Sequence, residues 1–215
     1  MGQQDLEPTR RSLHGIAELV LAGPQYDVSG SIRLRVTPGG FGTVAVPDLK
    51  VDGLELVTPT GRLPLSGTFA ELARAAGVRA RDLRDVYEEG PAVADVDPIV
   101  VDPEAVAVIL DAFARGDAAM RAFAPDQEPV IWPEHFDIGV SVDEVNYGVS
   151  PGDAHVPEPY AYIGPWAQRE GDFWNRAFGA TRLLTQVPDV ESLVAFFHDG
   201  ATRAAADPPL ARQPD

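Results

Sequence analysis

No cysteine occurs among the 215 residues, which removes a disulfide framework, a thiolate metal site and a cysteine nucleophile at once. Basic residues are scarce: Lys50 is the single lysine, and with sixteen arginines it stands against 33 acids, for a formal charge of -16 and a pI of ≈ 4.5. A field of that sign repels phosphate backbones and anionic lipid surfaces, so neither nucleic acid nor membrane is an expected partner. No apolar run approaches the ~20 residues of a membrane-spanning helix. Residues 1–8 carry neither the basic opening nor the apolar stretch of an export signal, and the expectation is a soluble, cytoplasmic, acidic protein. Phosphate-cradling loops are missing as well, since no glycine-rich loop precedes Lys50 and no G-x-G-x-x-G follows a strand. H-E-x-x-H is absent, and a His/Asp/Glu site would need ligands from three separate segments. No cofactor and no metal are therefore expected.

What the chain does have is 45% hydrophobic residues at a mean hydropathy of -0.09 and a mass of 23.0 kDa, enough for the core of one ordinary domain or two small ones. Apolar residues at helical spacing over 9–21 predict a first helix, stopped by Gly23 and Pro24. Ile32, Leu34 and Val36 alternate with polar residues as a strand, turned at 38–40 and returning over 43–46. Residues 49–58 and 61–65 predict a hairpin, and the Thr68/Glu71 spacing a capping box that opens a short helix ending near Gly77. An irregular connection over 78–102 is the candidate seam between two halves. Asp102 as N-cap and Pro103 at the first helical position open the longest helix, which Gly116 weakens at its middle. Strand character returns over 130–142 and 158–164, a last helix spans 189–205, and the tail 207–215 is expected to fray. This order is not a regular strand–helix alternation, so the expected class is α+β, mainly antiparallel sheet with flanking helices.

Residues 91–160 hold fourteen acids against two arginines. Such a run reads either as a solvated surface or as a cleft attracting cationic or hydroxyl-rich ligands. Over 135–143, His135, Asp137, Gly139 and Ser141 alternate with Phe136, Ile138, Val140 and Val142; over 158–163, Glu158, Tyr160 and Tyr162 share a side. Pairing those two strands would gather imidazole, carboxylates and phenols on one surface, with a polar loop at 146–155 between them. Trp166, beside Gly164 and Pro165, belongs to an aromatic-rich stretch that offers a stacking wall. Gly148-Val149-Ser150-Pro151-Gly152 matches the form of a nucleophile elbow, but Pro151 has no N–H to give an oxyanion, and no amphipathic helix follows.

The segments Trp132-Pro133-Glu134-His135-Phe136-Asp137, Val145-Asn146-Tyr147-Gly148 with Ser150-Pro151-Gly152-Asp153, Pro157-Glu158-Pro159-Tyr160 and Phe173-Trp174-Asn175 resemble a family of uncharacterised actinobacterial proteins. More loosely, they resemble a wider bacterial domain family of unknown function. The resemblance is specific over about 131–180 and weaker at Leu13-His14 and over 37–42; it implies no activity or catalytic residue. The residues themselves favour a small polar ligand bound by Trp132, His135, Asp137, Asn146, Tyr147, Glu158 and Tyr160. Two alternatives stand beside that reading: a hydrolase or lyase, metal-assisted or using His135 as general base, and a protein-interaction module with an exposed aromatic patch. Nothing in the sequence fixes an oligomeric state.

Overall fold

A computed structural model describes residues 6–207. The α+β class is as expected: all the strand pairings described below are antiparallel, and helices flank them. The chain divides into two compact units, residues up to 114 with 130–137, and 115–129 with 138 onward. The division does not follow the irregular stretch 78–102, which lies wholly in the first unit.

The first unit begins with α1 (Glu7–Gly15), a π-helical segment (Ile16–Ala22) and α2 (Gly23–Ser29). The sequence places a stop at Gly23 and Pro24, yet helix continues to Gly30, whose φ of 71 closes it. The wider π turn supplies the reason. It displaces the carbonyl that a proline ring would strike in a regular α-helix, so Pro24 fits at the start of α2. Leu13, Ile16, Ala17 and Val20 are fully buried.

Six strands of this unit are ordered β6-β1-β2-β3-β4-β5: β1 (Leu34–Thr37), β2 (Gly40–Thr43), β3 (Lys50–Asp52), β4 (Glu55–Thr58), β5 (Gly61–Pro64) and β6 (Val130–Trp132). The strand expected over 49–58 is two strands, folded at Gly53, whose φ of 60 suits a turn and not an extended chain. Thr68 and Glu71 form the expected capping box of α3 (Phe69–Ala75), each side chain accepting the other residue's backbone N–H. Asp102 caps α4 (Pro103–Phe123) by accepting from the N–H of Glu104 and Ala105. At the core, Phe41, Phe113 and Phe136 meet edge to face, with His14 stacked on Phe136 at 5.2 Å.

The second unit orders its strands β10-β9-β8-β7: β7 (Asp137–Val142), β8 (Val145–Ser150), β9 (Tyr160–Pro165) and β10 (Ala180–Leu183). Strand β8 occupies much of the segment read from sequence as a loop. Both β7 and β9 pair with it, so the direct pairing expected between them does not occur. One face packs against α5 (Val190–Ala206), where Tyr147, Phe123 and Phe197 cluster. Asp189 caps α5 in a reciprocal pair with Ser192. The expected fraying of 208–215 lies outside the described residues, while Asp207 accepts a bond from the Trp174 indole at 2.9 Å.

Gly116 has a packing reason that periodicity does not reveal. A Cβ there would lie 2.9 Å from Ile138 Cγ2 and 3.0 Å from Val149 Cβ, so the helix approaches the strands as closely as a glycine allows. Gly116→Val is expected to destabilise by about 1–3 kcal/mol through overpacking. Urea denaturation checks this; an unchanged midpoint would show that the helix can move away freely.

Candidate functional site

The residues singled out from sequence fall in both units. Trp132, His135 and Asp137 belong to the first; Asn146, Tyr147, Glu158 and Tyr160 belong to the second. Trp132 is half-buried, with the Arg33 guanidinium 5.8 Å from its ring centroid. His135 is exposed in the turn before β7, its Nδ1 3.1 Å from a Glu89 carboxylate oxygen and its Nε2 3.9 Å from Glu134. Asp137 is buried at the start of β7.

Tyr147 is a correction. At 2% exposure it points into the α5-facing core, 4.6 Å from the Phe123 ring, and burial pushes its hydroxyl pKa up to about 12. Alternation decides this: in β8, Asn146, Gly148 and Ser150 take one face and Tyr147 the other. Tyr160 is also buried and donates to Asp153 Oδ2 at 2.6 Å. Burial works to raise the Asp153 carboxyl, but bonds from Tyr160 and from the N–H groups of Val156 and His155 outweigh it and hold it below the ordinary value. Tyr160 and Asp153 thus brace the turn before β9. Glu158 is exposed on that same approach. Ser150 ends a strand and is buried, with no helix following Gly152, so the elbow-like motif is part of a sheet and a turn.

The face of β8 opposite Tyr147 is built of small residues. The register sets Gly139 opposite Gly148 and Ser141 opposite Asn146, then Gly148 opposite Tyr162 and Asn146 opposite Gly164. A Cβ at Gly148 would fall 2.3 Å from the Tyr162 ring, so the phenol lies flat across the glycine. Phe178, 49% exposed, meets Tyr162 edge-on at 6.5 Å. Trp166 is 66% exposed, and its indole N–H donates to Asn146 Oδ1 at 3.2 Å. Ser141 Oγ donates to the same oxygen at 2.7 Å. Two donors on Oδ1 fix the amide's orientation, and the side chain that carries it is exposed. Of the residues expected to bind ligand, Asn146 is the one this face presents.

The sequence reading passed over Glu18 and Tyr87. Glu18 is buried in the π-helical segment and accepts from the Tyr87 hydroxyl at 2.7 Å. Burial raises its carboxyl pKa, with the Tyr87 bond opposing. The one available signal was the length of the irregular stretch 78–102, since long structureless connections concentrate function. Among the described residues no three His, Asp or Glu side chains are grouped to hold a metal ion, and no helix is long and apolar enough to cross a membrane. Comparison with protein-family models, curated proteins and solved structures finds no match.

Proposed function

We propose that this protein binds a small polar ligand, and that the open face around Trp166 and Asn146 is where it does so. The observation that carries the reading is the Asn146 amide, exposed and fixed through its Oδ1, next to an indole two-thirds exposed. Exposed aromatic surface combined with an oriented polar group is the composition of a ligand-binding face. The pair suits a hydroxyl-rich ring, whose C–H face stacks on the indole while a hydroxyl oxygen accepts from the amide. Tyr162 and the Gly139/Gly148 floor keep the adjoining surface flat enough for a ring to lie on.

The test is tryptophan fluorescence and thermal shift with neutral disaccharides such as maltose and cellobiose. A ligand selective for the folded state is expected to raise the melting temperature. Trp166→Ala should abolish the response and Asn146→Ala weaken it about tenfold, the ~1.4 kcal/mol of a lost hydrogen bond. A response that persists in Trp166→Ala would place binding elsewhere, and no response to any sugar would remove the reading. A second reading, a histidine-based hydrolase or lyase, draws support from the 3.1 Å His135–Glu89 contact, which would orient the imidazole as a base.

A further inference from the structure

The first unit contains a hollow of ≈ 610 Å³ that uses none of the residues of the open face. Leu19 of the π-helical segment and Val93 form apolar parts of its lining, and the end of α3 with the chain at 78–84 forms its walls. Three arginines line it, Arg74, Arg79 and Arg84, together with Asp82 and Asp95. That composition runs against the rest of the chain, where acids outnumber bases about two to one.

Elsewhere the excess of acid is used to seat arginines. Arg62 lies on Asp52 and Glu55, Arg121 on Asp117 and Glu128, and Arg203 on Asp199. Arg81, between two of the hollow's arginines in sequence, is held by Asp27 and Asp85. Among the described residues the guanidiniums of Arg74, Arg79 and Arg84 make no hydrogen bond and no close ion pair, although Arg84 lies near enough to the Glu18 carboxyl to oppose the rise in its pKa. Carboxylates were available to this segment and went to Arg81 instead.

The backbone carrying two of these arginines is also fixed. Arg81 N–H donates to Leu19 O at 3.0 Å, Leu83 is fully buried, and Tyr87 is tied to the buried Glu18. A segment anchored at three points loses little freedom when a ligand arrives. The hollow's size is within the roughly 300–1,000 Å³ typical of small-molecule sites.

We propose that this hollow binds a small organic oxyanion, a phosphate ester or a di- or tricarboxylate, with Arg74, Arg79 and Arg84 as its donors. Guanidinium forks match either oxyanion with paired N–H bonds. Leu19 and Val93 cover the carbon skeleton, and Asp82 and Asp95 accept from hydroxyl groups on the same molecule.

Isothermal titration of the full chain with ribose 5-phosphate, citrate and neutral ribose tests this at about 20 mM salt and again at about 200 mM, where screening is stronger. Saturable binding of at least one anion is expected, weaker at the higher salt, with ribose not binding. Preference for ribose 5-phosphate assigns a phosphate ester, and preference for citrate assigns a polycarboxylate. Arg79→Ala with Arg84→Ala should weaken binding at least tenfold. Arg84→Lys, which keeps the charge but not the fork, should fall between and guards against a double variant that does not fold. Arg35→Ala, removing an exposed arginine of β1 outside the hollow, should bind as the parent does. The proposal is overturned by no saturable binding of either anion, by equal binding of ribose, or by an equal loss in Arg35→Ala.

Discussion

Gln25→Leu is expected to cost about 3–5 kcal/mol, although the change is nearly isosteric and adds apolar surface to a buried position. Gln25 is fully buried, and all four of its hydrogen-bonding positions are used. Its Nε2 donates to Ser31 O at 2.8 Å and Arg33 O at 2.9 Å; its Oε1 accepts from Val44 N at 2.7 Å and Ala45 N at 2.9 Å. One side chain thus joins the end of the first helical run to the entry of β1 and to the chain leaving β2. Leucine would fill the volume but leave two carbonyls and two N–H groups without their partner. Each group that water cannot reach costs about 1–3 kcal/mol, and partial hydration brings the sum down to the figure given. Gln25→Glu separates the two halves of the network, since it keeps an oxygen to accept from Val44 and Ala45 and loses the NH2 group that donates to Ser31 and Arg33. Chemical denaturation measures all three proteins, and a Gln25→Leu midpoint within experimental error of the parent would show that the four backbone groups find water.

Nothing in Gly23-Pro24-Gln25-Tyr26 marks that glutamine in the sequence, because its role depends on partners up to twenty residues away. What was legible is what local chemistry decides. The capping box at Thr68, the N-cap at Asp102 and the alternation through β1 all involve neighbours within a few positions, and each stands where it was expected. The helix stop at Gly23 and Pro24 was misplaced because the π turn depends on what packs around Ile16 to Ala22, which residue type alone does not encode. The candidate site was less legible still. Period two correctly placed Tyr160 and Tyr162 on one side of β9, but could not say that β8 would lie between β7 and β9, nor which face α5 would cover. One misassigned strand was enough to put Tyr147 among ligand contacts when it belongs to the core. The arginine-lined hollow escaped because its members, at 74, 79 and 84, follow neither the helical nor the strand period and converge only when the chain after α3 folds back over the π-helical segment.

Two ionisable groups of that first helical run, His14 and Glu18, should give opposite pH responses. His14 is largely buried against Phe136, and its Nε2 contacts Pro133 O at 2.6 Å, a geometry that needs the N–H on Nε2. Burial lowers its pKa from 6.5 to about 4, with the Pro133 bond opposing. Between those values the unfolded chain binds a proton that the folded chain does not, so this contribution rises with pH and is complete above about pH 6.5. A shift of that span corresponds to about 3 kcal/mol, lost on acidification to pH 4. Glu18 works the other way. Its raised pKa means the folded chain keeps a proton the unfolded chain has released, so its contribution is complete below the ordinary carboxyl pKa and declines as pH rises through the folded one. His14→Phe keeps the stack on Phe136 but cannot titrate, and should remove the rise in stability between pH 4 and 6.5, leaving the decline set by Glu18, while losing about 1 kcal/mol at pH 7 with the Pro133 bond. Glu18→Gln keeps an acceptor for Tyr87 and should melt higher than the parent at pH 8, with the difference closing towards pH 4. One helical turn separates the two residues, so the parent's profile is the difference of two opposed slopes, and each single variant exposes the slope the other had masked. Parallel profiles for the parent and His14→Phe across that range would mean the imidazole takes up its proton inside the fold as readily as outside it.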